Sequence, residues 1–192
     1  MNNNVVLLDA DFCNIILQND KNISFFKSIF EILNISPAIH IYVFDNELFH
    51  NNSIKTLVSE NYIKILNYSD FLIDDVDTVS YQQYFHDYYF FMNSEKLGNL
   101  DIFTYRKSGY NLGEIHSLIT AQICKIPVFM SNDKGAKELA YNRINSTAFQ
   151  IIVKNIEEVF NDCEKISKLN STIKRSIIKD ITKKISNVVE VK

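Results

Sequence analysis

The sequence predicts a three-layer α/β/α sandwich built on a mainly parallel central sheet. Three observations carry that prediction. Short unbroken apolar runs recur along the chain, as strands buried on both faces require. Longer stretches with apolar residues at helical spacing separate them, and such strand–helix alternation is the pattern of parallel crossover units. The runs end in acidic or polar tips, which in an α/β sheet line the ligand crevice.

Taken in order, Val5-Val6-Leu7-Leu8 is the first strand, and it ends in Asp9-Ala10-Asp11. Residues 12–17 and 25–33 carry helical spacing, and Asp20-Lys21-Asn22 divides them into two helices. Pro37 closes this unit, and the apolar run 38–44 predicts a second strand ending in Asp45-Asn46-Glu47. A helix over part of 54–60 and a short third strand within 62–66 follow. Asp74, Asp75 and Asp77 make a small acidic run before residues 79–96, which read as a helix with aromatics on more than one face. Aromatics at that density suit a core or a partner surface better than a base-stacking platform. Residues 101–107 predict one more short element.

The rest of the chain is organised around residues 112–140. A helix from Leu112 to Cys124 carries Glu114 in its first turn. The turn Lys125-Ile126-Pro127, the strand Val128-Phe129-Met130 and the polar tip Ser131-Asn132-Asp133 come next, and a further helix opens directly after the tip. A fifth strand within 149–153 precedes two helices over 156–168 and 171–187. The last has Ile173, Ile177, Ile181 and Ile185 at i, i+4 spacing among Lys174, Arg175, Lys179, Lys183 and Lys184, as an amphipathic helix packed through its isoleucines has. No repeat or Gly/Ser linker interrupts the chain, so residues 1–192 read as one domain, with 155–192 a C-terminal helical extension.

Net charge is −3 and the pI about 5.8, so no global field draws in nucleic acid. Cys13, Cys124 and Cys163 are far apart and odd in number, as expected of buried thiols in a reducing compartment. With neither a secretory leader pattern nor an apolar run of bilayer length, a cytoplasmic protein without membrane partners is expected.

Gathering the acidic positions gives Asp9, Asp11, Glu47, Glu114 and Asp133. Carboxylates sharing one crevice repel, and a cation or shared protons must relieve them. An oxygen-only set selects hard cations, Mg²⁺ or Mn²⁺. The scattered His40, His50, His86 and His116 offer no zinc spacing. Such a cation suits phosphate-ester chemistry, because it activates and orients a water and neutralises charge in the transition state. Arg106, Lys107, Lys134 and Lys137 flank the acidic positions in sequence and suit contacts to nucleic-acid phosphates.

These residues resemble the PIN-domain family of metal-dependent ribonucleases, to which toxin nucleases and RNA-processing enzymes belong. Leu7-Leu8-Asp9-Ala10-Asp11 is similar to its first motif, an apolar strand ending in Asp-x-Asn or Asp-x-Asp. Glu47 in Phe44-Asp45-Asn46-Glu47-Leu48 is similar to its glutamate after the second strand. Leu112-Gly113-Glu114, then a helix, a strand and Ser131-Asn132-Asp133-Lys134-Gly135-Ala136-Lys137, resemble its Gly-Glu helix and Asp-bearing strand end. The resemblance spans residues 5–153. It implies a PIN-like sandwich and an endoribonuclease in which Asp9, Glu114 and Asp133 are catalytic and hold Mg²⁺ or Mn²⁺, with Asp11 and Glu47 as further ligands. It implies RNA as substrate and hydrolysis to a 5′-phosphate and a 3′-hydroxyl. It alone brings an antitoxin-like protein and a second copy of the chain into view as partners.

Other readings stand beside it. Asp9-Ala10-Asp11 after a strand also resembles the nucleophile and acid pair of haloacid-dehalogenase-type phosphatases, although Phe12-Cys13-Asn14 departs from the Gly and Thr expected next. The chain also reads as a catalytically degenerate PIN-like interaction module. Singly, Asp9 reads as a turn residue, Asp11 and Asp133 as helix caps, and Glu114 as the partner of Asn111 in a capping box. Glu47 reads as a surface residue, and His116 as packing rather than a base.

Overall fold

In a computed structural model of the chain, the described residues are 4–18, 22–107, 109–145 and 149–166, with 172, 175–177 and 179. Five strands, β1 (Val5–Leu8), β2 (Ser36–His40), β3 (Lys64–Leu66), β4 (Val128–Met130) and β5 (Ile152–Lys154), form one sheet in the order β3-β2-β1-β4-β5. Every neighbouring pair is parallel. The helices are α1 (Ala10–Ile16), α2 (Ile23–Leu33), α3 (Ile41–Asn46), α4 (Asn52–Ser59), α5 (Asp75–Asn93), α6 (Leu112–Ile123), α7 (Lys134–Leu139) and α8 (Ile156–Ile166).

Successive side chains leave a strand on opposite faces. In the central strand β1, Val6 and Leu8 therefore enter one core and Leu7 the other, all fully buried. Residues of α1, α2, α4 and α8 cover the first face, and those of α5, α6 and α7 the second. The predicted three-layer α/β/α sandwich is the observed fold, and its sheet is parallel throughout. On α5, Tyr81, Phe85, Tyr88 and Tyr89 are buried in the second core, so these aromatics pack rather than stack bases.

The second strand is shorter than its apolar run. It ends at His40, and residues 41–44 open α3 instead of extending the sheet. The His40 ring caps that helix, with Nδ1 accepting from the Tyr42 N–H at 3.1 Å. Tyr42 then enters one core and Val43 the other, a division that a continuous apolar run does not reveal. Glu47 is thus the C-cap of α3 and not the tip of a strand.

Pro37 lies within β2, opposite Val6. The neighbouring Ser36 N–H donates toward β1, to the Asn4 carbonyl at 2.8 Å. Backbone groups alternate sides along a strand, so the Pro37 nitrogen faces β3, whose pairing begins one residue later at Ala38. No ladder bond is lost there. Residues 101–107 form turns and no helix or strand.

Of the predicted last helix, Ile177 is buried in the first core, while Arg175 and Lys179 are exposed. Ile173, Lys174, Ile181, Lys183, Lys184 and Ile185 lie outside the described residues. Among the described residues no helix is long and apolar enough to cross a membrane.

Candidate active site

The strand order reverses at β1, with β2 and β3 on one side and β4 and β5 on the other. At such a switch point the loops leaving the two central strands part, and a crevice opens outside their carboxyl ends. Asp9 leaves β1 at that point, and Ser131-Asn132-Asp133 leave β4.

Asp9 is 1% exposed and both its oxygens are engaged. Oδ1 accepts from the Ala10 N–H and Oδ2 from the Ser131 hydroxyl, each at 2.8 Å. The Asp133 N–H donates to that hydroxyl at 3.1 Å, which joins the two strand tips through one serine. Asp133 also caps α7, its Oδ1 accepting from the Ala136 N–H at 3.0 Å. The capping reading is therefore true of Asp133, while at the other tip Asp9, read as a turn residue, is the N-cap of α1, and Asp11, read as that cap, lies inside the helix's first turn. Glu114 forms no box with Asn111, whose side chain makes no capping bond because its backbone is left-handed, at φ 51°. The Glu114 carboxylate is instead steadied by its own backbone N–H.

The five predicted carboxylates form one electrostatically linked set, which Asp133 joins through Glu114. Burial, then Glu114, lifts Asp9 to about 8, although Ser131 and the Ala10 N–H oppose the rise. Burial lifts Glu114 to about 7, with Glu47, Asp133 and Asp11 adding to it. Glu47 is pushed up to about 7, by desolvation first and then by Asp9 and Asp11, while the Gly113 N–H offsets part of this. Of these three, Glu47 is the most open to water, so screening makes its contribution smaller than that of buried Asp9.

Sequence reasoning missed two residues that build this arrangement, Ser131 and Gly113. Gly113 lets the Glu47 carboxylate lie on the start of α6. A β-carbon there would stand 2.8 Å from Glu47 Oε2, and closer still to Oε1. A glycine inside a helix was the available signal, since it costs about 1 kcal/mol relative to alanine unless something approaches closely. The carboxylate is the free end of a flexible side chain and can swing away. Gly113→Ala is therefore expected to change stability by less than about 1 kcal/mol, because helix propensity offsets the clash. It is expected to lower metal-dependent turnover about ten- to a hundredfold, the usual effect of disturbing the groups that orient ligands. Thermal unfolding and turnover measured on the same preparation separate the two effects.

A cleft of about 500 Å³ opens beside two of these acids, Glu47 and Glu114. Tyr42, Glu47, Arg106, Lys107, Tyr110 and Glu114 line it, so carboxylates form one part and cations another. The Arg106 guanidinium lies over the Tyr42 ring at 4.6 Å, and Lys107 Nζ stands 3.7 Å from the centre of the Tyr110 ring. Arg106 and Lys107 thus stand where the sequence placed them. Lys134 is exposed on the first turn of α7, next to Asp133. Lys137 belongs elsewhere: it pairs with Glu158 at 2.9 Å in a separate groove along β5. It lies on a different part of the α7 surface, where α8 supplies an acidic partner.

His116 is fully buried, and its Nδ1 meets the Tyr81 hydroxyl at 2.6 Å. Its ring stacks on Tyr42 and lies parallel to His40. Burial first, and then His40 and Arg106, hold it well below the usual imidazole range. Its ring is thus packed among aromatic side chains, the placement the sequence suggested.

Among the described residues no three acidic, histidine or cysteine side chains close into a preformed metal cage. The donor chemistry nonetheless suits Mg²⁺ or Mn²⁺, because every candidate ligand is an oxygen. Mg²⁺ commonly keeps several waters and uses only one or two carboxylates together with substrate phosphate. Comparison of the chain with protein-family models, curated proteins and solved structures finds no match. The site is therefore argued from its own geometry.

Proposed function

We propose that this chain is a metal-dependent endoribonuclease of toxin or RNA-processing type, with Asp9, Glu114 and Asp133 as its catalytic carboxylates. The observation that carries the reading is the convergence of carboxylates from separate segments at the sheet's switch point, where burial first, and neighbouring carboxylates second, hold protons on Asp9, Glu47 and Glu114. Asp9, Glu114 and Asp133 would hold Mg²⁺ or Mn²⁺, with Asp11 and Glu47 beside them. The bound cation supplies charge neutralisation and an activated water for phosphodiester hydrolysis.

The chain's own groups divide the remaining work. Ser131 holds Asp9, and through the Asp133 N–H it fixes the spacing of the two strand tips. Arg106 and Lys107 meet the substrate's phosphates across the cleft from the carboxylates. No side chain is needed as nucleophile. A phosphatase using Asp9 as nucleophile is less well supported, because Phe12-Cys13-Asn14 departs from the Gly and Thr expected after such a pair. A reducing cytoplasm suits the three cysteines, which form no disulfide and of which Cys13 and Cys163 are buried.

The test is incubation of the pure chain with mixed single-stranded and structured RNA, with Mg²⁺ or Mn²⁺ and with chelator. Cation-dependent products bearing 5′-phosphate and 3′-hydroxyl ends are expected. An absence of cutting under every condition would favour the non-catalytic interaction module.

A further inference from the structure

A second cleft, of about 560 Å³, lies on the other side of Glu47, so that one carboxylate borders both. The two differ in chemistry. The first carries Arg106 and Lys107. Among the described residues the second has no lysine or arginine in its lining and is walled by Asn14, Gln18, His50, Asn51 and Asn52. A groove that tracks a phosphate backbone needs cations. A groove of neutral amides next to a phosphodiester site suits hydrogen bonding to base edges instead.

The amides are ordered by the fold. Asn51 caps α4, its Oδ1 accepting from the Ile54 N–H at 3.1 Å, and its Nδ2 donates to Asn14 Oδ1 at 3.0 Å. With its oxygen occupied in this way, Asn14 offers its amino group as a donor. Asp11 and Asn14 are three residues apart on α1 and both exposed, so they share one face that leads from the carboxylate cluster to the amides, and exposed Gln18 follows just beyond the C-cap of α1. At the rim the Phe49 ring, 44% exposed, lies against His50 with centroids 3.6 Å apart, giving an unpaired base an aromatic face.

We propose that this amide-lined cleft is a nucleobase-reading subsite, which receives the unpaired base next to the phosphodiester held at the carboxylates. This rests on the ribonuclease reading for its substrate. It adds that recognition is divided, with phosphates bound on the Arg106 side of Glu47 and base identity read on the Asn14 side.

The test measures binding without cleavage. Fluorescent single-stranded octanucleotides, oligo(A), oligo(C), oligo(U) and alternating (GA), are titrated in chelator against wild type, an Asn14→Ala/Gln18→Ala double variant and Arg106→Ala. Wild type is expected to discriminate among them by about tenfold or more, the scale of one well-made base contact. The double variant, shown folded by thermal unfolding, is expected to retain less than about threefold discrimination with an unchanged salt slope. Arg106→Ala is expected to weaken all four alike and to reduce the salt slope by about one. Equal binding of the four by wild type, no binding of any, or discrimination that survives in the double variant would each overturn the subsite. Base-dependent binding by a chain that cuts nothing in Mn²⁺ would overturn the nuclease reading and leave the subsite standing.

Discussion

Asp9→Asn and Asp133→Asn are each expected to reduce cation-dependent RNA cleavage by about a thousandfold, while both variants stay folded. The size follows from removing a ligand whose cation stabilises transition-state charge by several kcal/mol, at about 1.4 kcal/mol for each tenfold in rate. The fold should survive because asparagine keeps the local bonds. At position 133 its side-chain oxygen can still accept from the Ala136 N–H, and Asn and Asp cap helices about equally well. At position 9 the amide can face both the Ala10 N–H and the Ser131 hydroxyl, which also accepts. Turnover and thermal unfolding measured together check this. Variants that keep activity within about tenfold of wild type would remove these aspartates from the chemistry.

The second large effect is on stability. Without cation, the protein is expected to lose stability as pH rises from about 6.5 to about 8. Through that window folded Asp9, at about 8, still holds a proton that the unfolded chain, near 3.8, has released. The folded state binds more protons, so the slope of stability with pH is negative. Glu47 and Glu114, both at about 7, push in the same direction in the lower part of the window. The buried histidines act the opposite way, and below the window. Folded His40 sits near 3 and His116 is well below 6.5, so beneath pH 6.5 the unfolded chain takes up protons that the fold refuses. Below about pH 6.5 the histidines therefore offset part of the fall that the three carboxylates produce, and the fall is steepest once the unfolded histidines are neutral as well. One proton released across the upper window corresponds to about 2 kcal/mol, or a fall in Tm of about 4–8 °C. Asp9→Asn should flatten that fall. A Tm that rises or holds steady for wild type would contradict the clustering of protonated carboxylates.

Much of this was legible from the sequence because it depends on local order. β1 and β4 are unbroken apolar runs, Asp9 follows the first directly and Asp133 ends the three-residue tip after the second, so a strand reading alone brings the two to one edge of the sheet. Glu114 was legible as the acidic residue of a helix start beside that edge. Residues 41–44 were not, because four consecutive apolar residues fit a strand or a buried helical turn equally well. The choice falls to His40, whose ring caps the helix, and to two cores that claim Tyr42 and Val43 separately. Glu47 still reaches the site, but it does so from the end of a helix and against Gly113. Ser131 escaped notice because a serine at a strand end has no distinguishing spacing, and its partner Asp9 is more than a hundred residues away. The cationic wall was legible only as sequence proximity, which served for Arg106 and Lys107 and failed for Lys137.

The central claim is that these carboxylates form a cation site, and the most direct measurement is thermal unfolding at about pH 8 with increasing Mn²⁺ or Mg²⁺. At that pH the carboxylates repel most strongly, and a bound cation relieves the repulsion. At about a hundred times its dissociation constant the cation should add about 2.7 kcal/mol, a rise in Tm of about 5–10 °C for wild type. That rise should be largely lost in Asp9→Asn. A wild-type Tm that does not respond to either cation at that pH would contradict the account.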